Sequence, residues 1–379
     1  MAATVNSNIE IKQTPLIQAA VPGDFQPNGT RRPSSAGICL SLHHASAAAG
    51  LVRDDAPHAL LLSTASSSAN SLFYGGCAVV TERGDGGGDS EVLYTTSSLL
   101  QTTDSSQLPV VLITRIVVQR STSSAADTTG PVAAVSWTKL RPPPIMPMPA
   151  AMIPYRFQES SGMLYCAQGN LAPKTSGLFF MPHGRRPQAL VNSYYGIDFN
   201  SVRDVAVHPR DGSLWFTDPR TGSDQDFRNE PQLPCHVYRA ATDVRVMDDG
   251  LRRPTSLCFD PAGSTLYVSD TNNTEGVRTA TVYAFDVLER GGSEFLANRR
   301  VFAYALEGAP MCVRCDGHGN VFAACGSRIE IRNAGGTLVA SVDVPGPSDV
   351  SSFCFTSDRC NEMYVCAGQE LWWIRLRPN

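Results

Sequence analysis

The most constraining feature of this chain is a short pattern that recurs along its length. A turn rich in glycine, aspartate, asparagine or proline precedes an apolar run of strand length. Six segments share this form, beginning at Pro57, Ser161, Asp211, Ala262, His318 and Arg359. The last five recur every 50 residues or so, at roughly the length of one propeller repeat, with further β-type runs between them. The sequence therefore predicts an all-β fold, a six-bladed β-propeller with a central channel.

The interval between the first and second copies is about twice as long as the others. It contains a glycine-rich run from Gly84, a serine- and threonine-rich run from Ser121 and a proline run from Pro142. Such compositions are typical of loops, so we predict that they are insertions in the second blade. The alternative for a β-rich chain, two sandwich domains, does not explain the regular spacing.

The beginning of the chain has little hydrophobic periodicity. We predict an N-terminal lead-in segment over residues 1–36, which can supply one strand that closes the ring. A single propeller domain is predicted over residues 37–379.

Composition limits the possible partners. The formal net charge of −4 gives no electrostatic reason to expect nucleic acid or an anionic membrane. No run approaches the roughly 18 apolar residues of a membrane span, and residues 1–20 do not resemble a secretory signal. The 11 cysteines are an odd number, and most lie in strand-like runs as small hydrophobes. We expect a cytoplasmic protein that binds a small, largely apolar molecule; its oligomeric state is not predicted.

Several segments resemble the gluconolactonase, or senescence-marker-like, family. Residues 191–219 include a Phe-Asn-Ser run and an Asp-Gly-Ser-Leu-Trp-Phe-Thr-Asp-Pro run, and residues 250–270 and 308–325 match the next two blades of that family. The resemblance covers roughly residues 37–376. It implies a six-bladed propeller with one divalent cation at the mouth of the channel. There, oxygen ligands hold an ion that polarises a lactone carbonyl and activates water.

The positions that hold the cation in this family are changed in this chain. The two ligand asparagines correspond to Arg203 and Thr255, the aspartate to Met311, and the blade-one glutamate to Ala45, after His44. Arginine repels a cation, and methionine and alanine offer no oxygen ligand. We therefore expect neither a metal bound in the family manner nor another cofactor. The surrounding family positions are retained: Asn200, Asp204, His208, Trp215 and Asp218.

The altered mouth predicts a pocket that combines apolar walls with a few hydrogen-bonding groups, as a medium-sized organic ligand requires. Arg203 and Thr255 are the candidate catalytic residues. The candidate substrate-binding residues are Met311, Asn200, Tyr194, Tyr195, Phe199, Ser256, Met152, Ala45 and His44.

The first functional hypothesis is a metal-independent cyclase of fungal secondary metabolism. The chain is similar in this respect to the hetero-Diels–Alderases of tropolone–sesquiterpenoid pathways, a group related to gluconolactonases. In such an enzyme the pocket holds an enone or quinone-methide diene against an alkene. Arg203 would donate hydrogen bonds to the oxygen that gains electron density.

Two hypotheses from other classes remain open. One is a lactone hydrolase with a rearranged site, in which Asp204, Asp218 or Asp270 recruits a cation elsewhere. The other is a non-catalytic propeller that binds a small molecule. Structural interpretations also exist for single residues. Arg203 can pair with Asp204 or with another acid at the channel wall. Asp218 and Asp270 can cap turns, and Cys312-Val-Arg-Cys315 is an isolated motif without further zinc ligands.

Overall fold

The structure is a computed structural model that describes residues 5–6, 10–13, 37–43, 58–66, 70–83, 89–100, 109–120, 132–271, 280–356 and 362–376. Four short strands come first: β1 Val5–Asn6, β2 Glu10–Gln13, β3 Cys39–Leu42 and β4 His58–Ser63. Blade one contains β5 Cys77–Arg83, β6 Asp89–Thr96, β7 Ile113–Arg120 and β8 Val132–Leu140. Blade two contains β9 Pro149–Phe157, β10 Ser160–Gln168, β11 Ser176–Pro182 and β12 Gln188–Val191.

A small hairpin, β13 Ser193–Tyr194 and β14 Ile197–Asp198, follows blade two. Blade three contains β15 Val205–Val207, β16 Leu214–Asp218, β17 His236–Ala240 and β18 Val244–Asp248, with the single-turn helix α1 Thr221–Asp224 after its second strand. Blade four contains β19 Pro254–Phe259, β20 Thr265–Asp270, β21 Thr281–Arg290 and β22 Ser293–Tyr304. Blade five contains β23 Pro310–Cys315, β24 Val321–Cys325, β25 Arg328–Arg332 and β26 Leu338–Asp343. Blade six contains β27 Ser352–Phe355, β28 Glu362–Ala367 and β29 Glu370–Arg375.

The six sheets form a closed ring. In each blade the innermost strand contacts the innermost strands of both neighbouring blades, from β5 through β9, β15, β19 and β23 to β27 and back to β5. These six strands surround the central channel. The prediction of an all-β, six-bladed propeller is confirmed.

The ring closes because an early strand completes the last blade. β4 pairs antiparallel with β29 and becomes the fourth strand of blade six. β3 extends the outer edge of blade five, where it pairs with β26, and β1 and β2 pair with β4 and β3. The boundary predicted between a lead-in segment over 1–36 and a domain over 37–379 stays a prediction.

The assignment of the first repeat copy was wrong. The segment from Pro57 forms the outer strand of blade six, and a complete blade occupies the long interval after it. The runs from Gly84 and Ser121 therefore lie between strands of blade one, and the proline run from Pro142 connects blades one and two. The sequence did not distinguish these roles because an apolar strand has the same two-residue period in any sheet.

The motif that resembles the family signature forms a rigid turn in blade three. The Asp211 carboxylate accepts hydrogen bonds from the backbone N–H and the hydroxyl of Ser213, and Gly212 adopts a φ of 72°. The Ser213 hydroxyl in turn accepts from the Trp215 indole at 3.0 Å, and Trp215 is fully buried. Burial of one such aromatic side chain stabilises the fold by about 2 to 3 kcal/mol. This part of the signature is scaffold.

In the part of the chain that the structure describes, no helix is long and apolar enough to cross a membrane.

Candidate functional site

One end of the channel opens into a cavity of about 610 Å³, called the mouth cavity here. Its wall includes residues that precede or begin the innermost strands of blades one to five: Tyr74, Gly75, Pro149, Ala150, Arg203, Arg253, Thr255, Ala309 and Met311. The other lining residues are Ser97, Ser98, Leu99, Val111, Gln168, Gln225, Phe227 and Thr271. A second cavity of about 490 Å³, the lower cavity, is lined from the later part of several of the same strands, including Pro154, Phe259 and Cys315.

Arg203 enters the mouth cavity on a fixed backbone. Its N–H donates to the Thr217 carbonyl and its carbonyl accepts from the Ala151 N–H, both at 3.0 Å. Among the described residues, no hydrogen bond or ion pair reaches its guanidinium. Burial lowers the pKa of Arg203 from its ordinary value, and nearby Arg253 acts in the same direction while Tyr74 opposes it. Arginine stays charged at every pH at which proteins are normally studied. The mouth therefore holds a half-buried cation that has no counter-ion among the described residues.

Arg253 is the second cation of the mouth. Its contact with an acid is a distant one, 3.9 Å from Nη2 to Asp224 Oδ2, and its side chain is 28% exposed. The two arginines repel each other, which is unfavourable unless an anionic or strongly polar group lies between them. The sequence interpretation did not single out Arg253. The available signal was its position directly before the Pro-Thr pair that replaces the family's Pro-Asn.

Two aspartates hold the loops that carry these arginines. Asp218 ends β16 and accepts the backbone N–H groups of Asn200 and Ser201 at 2.9 and 2.7 Å. Asp270 ends β20 and accepts those of Arg252 and Arg253 at 3.0 and 2.8 Å. Corresponding residues of successive blades thus perform the same task. The interpretation of both aspartates as turn caps matches this geometry.

Asp204 does not pair with Arg203. Its carboxylate accepts two bonds from Arg314, at 2.9 and 3.2 Å, and one from the Ser256 hydroxyl at 2.5 Å. The Leu257 N–H also donates to it. The hypothesis that Asp204 neutralises Arg203 is therefore wrong for this structure. Ser256 belongs to this buried network and does not line the mouth cavity.

Thr255 and Met311 line the mouth cavity, as the sequence predicts for the positions that replace metal ligands. The Thr255 hydroxyl bonds to the Thr271 hydroxyl at 2.5 Å and to the Arg253 carbonyl at 3.1 Å. It is 2% exposed, so it supports the Arg253 loop more than it offers a donor to a ligand. Gln168 was missed by the sequence interpretation. Its side-chain oxygen is buried and has no partner among the described groups, and the residue lines the same cavity.

The other candidate binding residues lie elsewhere. Phe199 is fully buried between blades two and three, against Phe216 and Tyr238. Tyr194 packs on Tyr238 from the β13–β14 hairpin, and Tyr195 is 77% exposed there. None of these three candidates lines the mouth, because they lie in or beside the apolar cluster packed between blades two and three.

Asn200 and Met152 are also placed outside the mouth. The Asn200 amide donates to the carbonyls of Leu233 and Pro234, where it ties two loops together. Met152 is 1% exposed and lines the lower cavity. His44 and Ala45 lie outside the described residues. Met152 faces the opposite end of the channel because it lies three residues into β9 rather than at its start.

The structure changes which residue corresponds to the family's blade-one glutamate. The innermost strand of blade one is β5, and the residue that enters the mouth just before it is Tyr74. The strand that precedes Ala45, by contrast, is β3 at the outer edge of blade five. We therefore infer that Tyr74, and not Ala45, corresponds to the family's glutamate.

The residues present do not fit a divalent cation. The lining of the mouth cavity that the structure describes contains two arginines and no carboxylate, imidazole or thiol. Ca²⁺ prefers several anionic or carbonyl oxygens, whereas an arginine about 4 Å away opposes each cationic charge by about 4 kcal/mol at an effective dielectric of about 20. The donor set here suits an anion or a polarised carbonyl.

Two other groups of potential ligands are already engaged. The first group is formed by His208, Asp211 and Glu294, whose ligand atoms lie close together. Arg239, however, bonds to Asp211 at 2.9 Å and to Glu294 at 2.7 Å. Of the Cys312–Cys315 pair, Cys312 is buried, and burial raises the pKa of its thiol. Neither group points to a metal site.

Fold and site together define a class: a six-bladed propeller with one polar, ligand-sized cavity at the channel mouth. Residues 125–369, well over half of the chain, match the model of the SMP-30/Gluconolactonase/LRE-like region, and the chain belongs to this family. It is 30% identical to lactonohydrolase oryL of Aspergillus oryzae over 221 residues, which are 51% of this chain and 49% of that protein. It is 26% identical to the gluconolactonase of Zymomonas mobilis over 242 residues, 61% of this chain and 66% of the relative.

These alignments span only about half to two thirds of the relatives' own lengths. A solved gluconolactonase from Xanthomonas campestris superposes with a TM-score of 0.60 at 23% identity, covering 88% of this chain and 94% of that one. That likeness supports the fold. The named relatives are lactone hydrolases, which favours the hydrolase hypothesis over the cyclase hypothesis.

Proposed function

We propose that this protein is a lactone-processing enzyme that holds its substrate with arginine side chains where related enzymes use a metal ion. The observation that carries the proposal is Arg203, a guanidinium at the channel mouth that no carboxylate of the described residues neutralises. Arg253 adds a second positive charge to the same cavity. Membership of the gluconolactonase-like family and similarity to two lactone hydrolases support the substrate class.

Lactone hydrolysis fits this pair of arginines. Water adds to the carbonyl carbon, the ring C–O bond breaks, and the products are a hydroxyl group, a carboxylate and one released proton. Arg203 would donate hydrogen bonds to the carbonyl oxygen as it gains negative charge. The product carboxylate matches the two-pronged donor geometry of a guanidinium.

The described lining of the mouth holds no carboxylate or imidazole that could act as general base. We therefore expect the reaction to depend on hydroxide, with Gln168 and Tyr74 available to position the attacking water. The logarithm of kcat/KM should rise linearly with pH from 7 to 9. A plateau with an inflection near pH 6 to 7 would instead reveal a titrating base.

The direct test is a panel of sugar and aliphatic lactones incubated with the purified protein, with chelator and then with added Ca²⁺, Zn²⁺ or Mn²⁺. Turnover should be insensitive to chelator. Arg203→Leu should lower kcat/KM by roughly 100-fold, the usual cost of one oxyanion donor, without lowering the melting temperature.

Arg186→Leu is the matched control, because Arg186 is an exposed arginine on the turn between β11 and β12. It should leave kcat/KM unchanged. Turnover that requires a divalent cation, or full activity of Arg203→Leu, would contradict an arginine-based site.

A metal-independent cyclase is the second candidate. The supporting observation is that Arg203 shares its cavity with apolar side chains, Met311, Val111 and Phe227. This combination could polarise an enone while it orients an apolar diene and alkene. Mass and proton release separate the candidates: hydrolysis adds one water and releases a proton, whereas a cycloaddition within one molecule changes neither.

A further inference from the structure

A third cavity of about 430 Å³, called the proline groove here, lies beside the mouth cavity. Its lining includes Pro109, Pro142, Pro143, Pro144, Pro147 and Leu171. Five of these residues are prolines, which have no backbone N–H to donate. The proline run that connects blades one and two thus builds an apolar wall.

The groove offers few polar groups to a ligand. Asn170 and Asp226 are its only polar lining side chains among the described residues. The Asn170 side-chain oxygen is already occupied, because it accepts from the Ala172 N–H at 2.9 Å and from the Thr175 hydroxyl at 3.2 Å. Leu171, by contrast, is 61% exposed at the rim. The groove therefore suits hydrocarbon and disfavours a ligand with many hydroxyl groups, which would lose hydrogen bonds to water there.

One aromatic side chain separates the groove from the mouth cavity. Phe227 lines both cavities and is 4% exposed. It packs in a small cluster with Val111, which lines the mouth, and with Met148, which lines the groove. The mouth cavity with its arginines and the apolar groove thus share the side chain of Phe227 in their walls.

We propose that the ligand is amphipathic: a lactone or hydroxy acid head lies at Arg203 and Arg253, and a linear hydrocarbon tail lies past Phe227 in the proline groove. This rests on the proposed function for the identity of the head. The volumes of both cavities lie within the range of small-molecule sites. A sugar lactone would leave its hydroxyl groups against proline walls, so an aliphatic substrate is the better match.

The test uses δ-lactones with the same ring and unbranched side chains of increasing length. The value of kcat/KM should rise by about fourfold for each methylene buried, until the groove is filled. Binding of n-alkyl carboxylates, measured by calorimetry, should follow the same dependence on length. It tests the groove whether or not the lactones turn over.

Leu171→Glu places a charge at the exposed rim of the groove and should abolish the dependence on chain length. Ile145→Glu is the matched control, because Ile145 lies in the same proline-rich segment, is 51% exposed and does not line the groove. That variant should keep the length dependence.

The outcomes separate the two proposals. Turnover of lactones without any length dependence would overturn the groove and leave the proposed function standing. Length-dependent carboxylate binding that Leu171→Glu abolishes, without turnover of any lactone, would uphold the groove and overturn the proposed function. Carboxylate binding that ignores both tail length and Leu171→Glu would overturn the groove in either case.

Discussion

The two ends of the channel each hold an arginine from an innermost segment, and the two side chains have opposite surroundings. Arg314 bonds to both oxygens of Asp204, to the Ser256 hydroxyl and to the Val313 carbonyl. Despite burial, Asp204 raises the pKa of Arg314 above its ordinary value. Arg203 has no such partner in the part of the chain that the structure describes, and burial lowers its pKa. One arginine therefore contributes to the structure, and the other is available to a ligand.

Asp204 lies next to Arg203 in sequence yet serves the other arginine. Arg203 lines the mouth cavity, whereas the carboxylate of Asp204 accepts both of its Arg314 bonds away from that cavity. Adjacency in sequence was a poor guide to pairing here. The position of the carboxylate, and not the identity of the cation, therefore distinguishes a structural arginine from one that is available to a ligand.

Removal of Asp204, at the end of the channel where the arginine has a counter-ion, should have the largest effect on stability. Asp204→Ala removes the counter-ion of Arg314 and the acceptor of the Ser256 and Leu257 groups, so it should lower the free energy of unfolding by about 3 to 5 kcal/mol. Urea denaturation measures this. Asp243→Ala, on an exposed turn, should change it by less than about 0.5 kcal/mol. Equal effects of the two variants would contradict a structural role for the Asp204–Arg314 pair.

Conversion of the mouth cavity to a metal site should have the next largest effect on stability. The variant Tyr74→Glu, Arg203→Asn, Thr255→Asn, Met311→Asp restores the family's oxygen ligands. In it, the residue just before β5 takes the place of the blade-one glutamate. Ca²⁺ at 100 times its dissociation constant should then stabilise the variant by about 2.7 kcal/mol, measured as a shift in melting temperature.

The control for this graft carries Ala45→Glu in place of Tyr74→Glu. It should show a smaller shift, because β3, the described strand before Ala45, lies at the outer edge of blade five. If calcium stabilised the control more strongly than the graft, the correspondence between Tyr74 and the family glutamate would be wrong.

The smallest effect concerns the loop behind Arg203. Burial raises the pKa of Asp218 to about 7, although its two backbone N–H partners favour the charged form. An unfolded aspartate has a pKa of about 3.9, so the folded chain binds more protons between these values and loses stability as pH rises. From pH 5 to 7 the wild-type unfolding free energy should fall by about 1 to 2 kcal/mol more than that of Asp218→Asn.

Urea unfolding at both pH values provides this measurement, with Asp243→Asn as a control for the loss of one carboxylate at an exposed position. Parallel pH dependence of the wild type and Asp218→Asn would show that Asp218 does not titrate in this range.

Much of the fold could be predicted because the repeat is local. Each copy combines turn residues with an apolar run, and five of the six copies are the second strands of their blades. The sixth, His58–Ser63, reads equally well as a strand but belongs to the last blade. Its partner β29 lies more than 300 residues away, and no local pattern encodes a pairing of that kind.

The sequence by itself determined the all-β repeat, the family resemblance and the loss of metal ligands at Arg203, Thr255 and Met311. The residue types at the motif positions are sufficient for this, because they decide which ligand atoms are available to a metal ion. Only the tertiary structure decided which groups meet: that Tyr74 reaches the mouth just before blade one, that Arg253 shares the mouth with Arg203, and that Asp204 bonds to Arg314. The physical reason is distance. The energy of a charge or a hydrogen bond depends on separations of a few ångströms between residues that the chain alone leaves far apart.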